Sequence, residues 1–105
     1  MKLSEIAERL DLDMEDIKEL MGLYLETTAS DLKELKIAVE SKNSEEVHKK
    51  AHSITGASGN LGLTELHEIA AKINSVARGN SLDGIESVVE EFSEKFNQLI
   101  KDLDL

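Results

Sequence analysis

The chain has 105 residues, which suits one domain with a modest core. Its formal net charge of −10 argues against nucleic acid or an anionic membrane surface as partner, since both attract basic proteins. The absence of cysteine excludes a disulfide framework and thiol chemistry. Aromatic residues are few (Tyr24, Phe92 and Phe96), and proline and tryptophan are absent. Leucine, isoleucine, valine and alanine must therefore fill the core, which favours helices over a sheet. The opening Met1-Lys2-Leu3-Ser4-Glu5 lacks the apolar run of a signal peptide. No segment approaches the ~20 apolar residues that span a bilayer. A cytoplasmic protein is the default expectation.

Ser4 can cap a short first helix through about Leu10, with Ile6, Ala7 and Leu10 as its apolar side. So short a piece must dock on something to persist. Asp11 or Asp13 can cap the next helix, with Glu15 and Asp16 well placed near its positive end. Met14, Ile17, Met21, Tyr24, Thr28, Leu32, Leu35 and Val39 recur at helical spacing, and Leu20 and Leu25 widen that stripe. The pattern runs to about Glu40, roughly 40 Å of helix. Gly22 inside it suggests a close packing point. Ser41-Lys42-Asn43-Ser44 reads as a loop, and Asn43 followed by Glu46 fits a capping box opening a third helix. Gly59 to Gly62 end that helix. Thr64 is the expected cap of a fourth, whose buried face is Leu66, Ile69, Ala70, Ile73, Val76 and Ala77. Arg78-Gly79-Asn80 reads as its stop. Ser81 is expected to open the last helix, with Ile85, Val89, Phe92, Phe96, Ile100 and Leu103 as its stripe. Short loops make consecutive helices antiparallel neighbours. The expected fold is all-α: a single domain over residues 1–105, an up-down antiparallel four-helix bundle with a short extra N-terminal helix.

The third helix carries the most informative stretch. At 100° per residue, Val47, Ala51, Ile54, Ser58 and Leu61 share one narrow, mostly apolar direction suited to burial. His52 points about 140° away from Val47, hence outward. Gly56 and Gly59 follow it on the outer face, four and seven residues on. Glycine inside a helix costs roughly 1 kcal/mol relative to alanine, so both need a reason. The reason expected here is access: with no side chain at these positions, a partner can approach the imidazole closely. The alternative is that both glycines sit in a fraying helix end or allow close helix packing.

The run His52-Ser53-Ile54-Thr55-Gly56-Ala57-Ser58-Gly59-Asn60-Leu61-Gly62 resembles the motif of histidine-containing phosphotransfer (HPt) domains, His-x-x-Lys-Gly-x-Ser-x-x-x-Gly. His52, Gly56, Ser58 and Gly62 match in register, and the expected bundle is the architecture of that family. One position departs: Thr55 stands where the family has lysine. The resemblance implies a phosphotransfer module of a two-component phosphorelay, a carrier rather than an autonomous enzyme, since no ATP-binding or kinase motif is present. His52 would be the phosphoacceptor, taking a phosphoryl group from a receiver-domain aspartate and passing it to another receiver. The implied partners are response-regulator receiver domains and a hybrid histidine kinase. No cofactor is expected on this chain; the implied Mg2+ belongs to the receiver's acidic site.

In the family the lysine would offset phosphate charge. Threonine offers a hydroxyl without charge, so Lys49, three residues before His52 on the same side of the helix, is the candidate substitute. Ser58, on the inward stripe, is expected to be structural, through back-bonding or packing at a crowded contact. The docking face should surround His52 and take in the short first helix with the start of the second. Two alternatives stand beside this reading. One is a module of the same fold that docks a receiver or kinase without phosphotransfer. The other is a structural or metal-binding bundle, since His48 and His52 are four residues apart and Glu45 or His67 could add a third zinc ligand.

Overall fold

The computed structural model describes residues 2–79 and 81–103, and among these it contains five helices and no strand. They are α1 (Leu3–Leu10), α2 (Met14–Glu40), α3 (Ser44–Asn60), α4 (Thr64–Arg78) and α5 (Ile85–Asp102). Helices α2 to α5 each pack on the next, and α5 returns to α2, closing a four-helix ring; α1 rests on α2. The cross-links show the direction of the α2–α3 pair. Tyr24 meets Ser58, Asp31 meets Ser53, and Glu34 meets Lys50. One number rises as the other falls, so the pair is antiparallel.

The core is aliphatic, as composition demanded. Val47, Ala51, Ile54, Ser58 and Leu61, the inward stripe of α3, are all buried. Phe92 and Phe96 stack at 6.0 Å, and Tyr24 of α2 meets Phe96 edge-on at 6.2 Å, tying α2 to α5.

Helix ends follow capping chemistry, with three departures from expectation. Of the two candidate caps for α2, Asp13 serves: its carboxylate accepts from the Asp16 N–H at 2.8 Å. Asp11 instead ends α1 in the left-handed region, at φ +55°. Asn43 caps α3, accepting from the Glu46 N–H at 3.1 Å. Ser4 is not a cap, because α1 already begins at Leu3 after Lys2. Thr64 is the first residue of α4, and Leu63 before it makes no side-chain cap. Ser81 does not open α5: its hydroxyl accepts from the Asp83 N–H two residues on, and Gly84 sits at φ +79°, a value no right-handed helix contains. Helix α5 starts at Ile85. Asn80, part of the expected α4 stop, lies outside the described residues; Arg78 and Gly79 do close the helix.

The end of α3 matters most for the site. Leu63 N–H bonds to the Ser58 carbonyl and Gly62 N–H to the Gly59 carbonyl, each at 3.0 Å, with Gly62 at φ +69°. This is a Schellman closure, and it needs a residue that enters the left-handed region cheaply. Arg9 of α1 donates to the Gly62 carbonyl at 2.9 Å, tethering the short helix to the end of α3. Among the described residues no helix is long and apolar enough to cross a membrane.

Candidate phosphoryl-acceptor site

His52 sits in the middle of α3 and is exposed. Its exposure follows from the opposite stripe: once Val47, Ala51 and Ile54 are buried, the helix period turns residue 52 to solvent. The flanks of the ring are set by two interhelical bonds. On one side Ser53 donates to the Asp31 carboxylate of α2 at 3.1 Å. On the other, His67 of α4 bonds through Nδ1 to the Thr55 carbonyl at 2.9 Å. A carbonyl only accepts, so Nδ1 of His67 carries the proton in that bond. His52 projects between the two seams.

The glycines divide into two kinds. A Cβ built on Gly56 would meet nothing within 4 Å, so the space one turn beyond His52 is open. A Cβ on Gly59 would lie 2.9 Å from His67 Nδ1. Gly59 therefore follows the alternative of close helix packing rather than access: it lets the His67 ring lie against α3. Gly22, expected at a close packing point, has nothing within 4 Å of its would-be Cβ and faces open space.

Thr55, at the family's lysine position, has its hydroxyl turned back onto its own helix. Oγ1 donates to the Ala51 carbonyl at 2.7 Å, and the residue is half-buried. That proton is already in use, so Thr55 has neither charge nor a free donor to offer a phosphoryl group. Lys50 is engaged as well. Its ammonium is held by Glu34, with Asp31 at 3.9 Å and Glu46 at 4.0 Å. The hydrogen bond from Lys50 holds the Glu34 carboxyl below its ordinary range, and the same bond raises the Lys50 ammonium. Lys49 is exposed and, among the described residues, forms no ion pair. It is the cation of α3 left free near His52.

Ser58 has a structural partner that the sequence did not reveal. Its hydroxyl and the Tyr24 phenol share a buried hydrogen bond of 2.8 Å across the α2–α3 seam. Burial pushes the Tyr24 phenol up, with the Ser58 and Thr28 hydrogen bonds opposing. The His48 and His52 rings are 6.2 Å apart, centre to centre. His48 Nδ1 is buried without a partner. His67 is engaged with Thr55, and among the described residues no three His, Asp or Glu side chains converge as a metal site requires.

Between the α1 end, α2 and the C-terminal turns of α3 lies an apolar groove of about 440 Å³. It is lined by Leu10 and Leu12 from the α1 end, Leu20, Leu23 and Thr27 of α2, and Ala57, Asn60 and Leu61 of α3, with Tyr24 also lining it. Leu20 was expected to widen the buried stripe; it is 42% exposed, and Leu23 is 58% exposed.

Comparison with known proteins gives the family and the fold. The family model of the Hpt domain matches residues 19–104. The chain belongs to the Hpt domain family. It is a histidine phosphotransfer module of a phosphorelay. A search of curated protein sequences gave no significant match. Among solved structures, the Hpt fold is shared with histidine-containing phosphotransfer protein B (HptB) from Pseudomonas aeruginosa PAO1. The TM-score is 0.79 at 20% identity, covering 90% of this chain and 80% of that one. The all-helical Hpt fold is thus supported independently of the motif around His52.

Proposed function

We propose that His52 is the phosphoryl carrier of this Hpt domain, accepting from the aspartyl phosphate of one receiver domain and donating to the aspartate of another. The observation that carries this is the pairing of an exposed imidazole with open space above Gly56, on a helix whose opposite face is buried. A ring nitrogen of neutral imidazole attacks phosphorus, an N–P bond forms, the P–O bond of the acyl phosphate breaks, and the carboxylate leaves. The reverse sequence passes the group on. Such transfers ask the protein mainly for positioning and charge stabilisation. The bundle supplies position. The receiver supplies the metal, with Mg2+ in its acidic site rather than on this chain.

Charge on this side falls to Lys49. Thr55 is engaged with the Ala51 carbonyl and Lys50 with three carboxylates, so Lys49 is the available cation one turn from His52. Ser58 and Gly62 serve the scaffold, Ser58 through Tyr24 and Gly62 through the α3 closure.

The test is incubation with a panel of phosphorylated receiver domains from the genome that encodes the chain. Acid-labile label is expected on the wild type and none on His52→Ala. Lys49→Gln should slow transfer, and Thr55→Lys should restore the rate in that background. Receiver binding without label on any of the panel would instead favour the docking-only reading, to which the engaged hydroxyl of Thr55 lends support.

A further inference from the structure

Two contacts fix the register of the α3–α4 seam. At one level His67 Nδ1 bonds to the Thr55 carbonyl. Further along, Ser44, Glu45 and His48 of α3 line one cavity together with Ala77 and Arg78 of α4. Numbers on α3 fall as those on α4 rise, so the helices are antiparallel. A step of seven residues is nearly two full turns, about 10 Å along the axis, and it keeps the same face. Seven residues before Thr55 is His48, and seven after His67 is Asn74. His48 and Asn74 therefore lie across the seam from each other. Each has a buried polar atom without a partner, Nδ1 on His48 and Oδ1 on Asn74. The two atoms are complementary, because a ring nitrogen can donate and an amide oxygen accepts. Paired, they remove the cost of two buried, unsatisfied groups. With the proton on Nδ1, the lone pair of the imidazole is on Nε2, at the accessible edge of the half-buried ring. That ring stands 6.2 Å from the ring of His52.

We propose that His48 Nδ1–H donates to the Asn74 amide oxygen, and that Nε2 takes a proton from solvent when His52 carries a phosphoryl group. This rests on the phosphotransfer reading of His52. His48 is then a positioning residue that brings positive charge to the phosphorylated state, in a chain whose Thr55 has none to give. Charging the ring at Nε2 leaves the Nδ1 bond intact, so the seam holds in both states. The charged groups about the ring are Glu45 and Lys49 on α3 and Arg78 on α4; none from α2 or α5 lines its cavity. Glu45 favours a charge on the imidazole, while Lys49 and Arg78 oppose it. A phosphoryl group adds about two negative charges and tips that balance.

The experiment measures how the phosphoryl group partitions at equilibrium between the chain and a receiver domain, from about pH 5.5 to 8.5, the range in which imidazole changes charge. Dividing the wild-type partition by that of His48→Gln cancels the pH dependence of the receiver and of His52 itself. One charge against two at roughly 6 Å in a water-like dielectric is worth about tenfold. The ratio is therefore expected near ten at the acid end and near one at the alkaline end. His48→Lys carries a fixed charge and should hold the partition toward the chain at both ends. Nitrogen NMR of the rings should show the Nδ1–H tautomer at His48, lost in Asn74→Leu. Thermal melts check that the variants are folded. A ratio independent of pH, a His48→Lys partition no better than that of His48→Gln, or an Nε2–H tautomer in the wild type would overturn the role of His48 while transfer to His52 stands. No label on the wild type from any receiver would overturn the carrier reading, and this inference with it.

Discussion

The two flanks of α3 are built in opposite ways. Toward α4 the helix is closed: the His67 ring lies over Gly59 and bonds to the Thr55 carbonyl. Toward α2 it is firm beneath and open above. The floor is the buried Tyr24–Ser58 bond, and over it lie the groove, Leu20 and Leu23, while the empty space at Gly56 opens on the outer face of α3. The space over one glycine is filled by a ring, and the space over the other is empty. Substitutions on the open flank should therefore change transfer more than stability, and those on the closed flank the reverse.

Gly56→Leu tests the open flank most severely. Leucine has better helix propensity than glycine by roughly 0.8 kcal/mol, and nothing lies within 4 Å of the new Cβ. The melting temperature should hold or rise. The side chain would stand one turn from His52, where a receiver must approach, and a displaced phosphoryl donor can lose about a hundredfold in rate. Unchanged transfer from a phosphorylated receiver would show that Gly56 does not serve access.

The floor of that flank is expected to behave like core. Tyr24→Phe leaves the Ser58 hydroxyl buried without its partner, a loss of about 1–3 kcal/mol. Each kcal/mol should lower the melting temperature by roughly 4–8 °C in a domain of this size. The same variant carries a pH signature. Burial raises the Tyr24 phenol above its ordinary value of 10.0, so the folded chain holds that proton more tightly than the unfolded chain. Its contribution is complete below about pH 10 and is lost as pH rises through the raised value. The wild type should lose stability in that alkaline range, and Tyr24→Phe should remove the phenol's part of the slope. An identical alkaline limb in both proteins would contradict the assignment.

The sequence made the closed half of this arrangement harder to read than the open half. The period of Val47, Ala51, Ile54 and Ser58 orients α3, and from it the outward direction of His52 follows without any other helix. For Gly59 the period left access and close packing both open, because what fills the space above it is a ring from α4, placed by the crossing of two helices. Leu20 misled for a different reason. Periodicity registers apolarity, not burial, so an exposed apolar surface beside a core stripe looks like a wider stripe. Ile100, assigned to the buried stripe of α5, is 44% exposed for the same reason of pattern without context. Lys50 was missed because two of its three carboxylates, Asp31 and Glu34, come from α2. Ser81 failed as a cap on local chemistry, since a hydroxyl that bonds two residues on favours a turn over a helix start.

The closed flank is tested by making one substitution at two glycines. Gly56→Ala should raise stability by about 0.8–1 kcal/mol through helix propensity alone. Gly59→Ala gains the same propensity but drives a methyl against His67 and loosens its bond to Thr55. Overpacking of about 1–3 kcal/mol with a hydrogen bond worth about 1 kcal/mol outweighs the gain, leaving a net loss near 1 kcal/mol. In a His67→Ala background the clash disappears and Gly59→Ala should become stabilising, a reversal that a double-mutant cycle reads directly. Additive effects in that cycle would mean that His67 and Gly59 do not interact.

The smallest effect lies away from both flanks and separates stability from function. Lys42 sits after α2 at φ +55°, with Lys42 N–H bonded to the Val39 carbonyl and Asn43 N–H to the Ala38 carbonyl, the same closure that Gly62 gives α3. A left-handed conformation costs a residue with a side chain roughly 1–2 kcal/mol, part of which glycine returns as extra freedom in the unfolded chain. Lys42→Gly should thus raise stability by about 0.5 kcal/mol and leave phosphotransfer to His52 unchanged. A thermal melt and a transfer assay on the same preparation decide it. If this variant altered the transfer rate, changes seen with the α3 glycines could be general effects of stability, and the division between an open and a closed flank would lose its functional meaning.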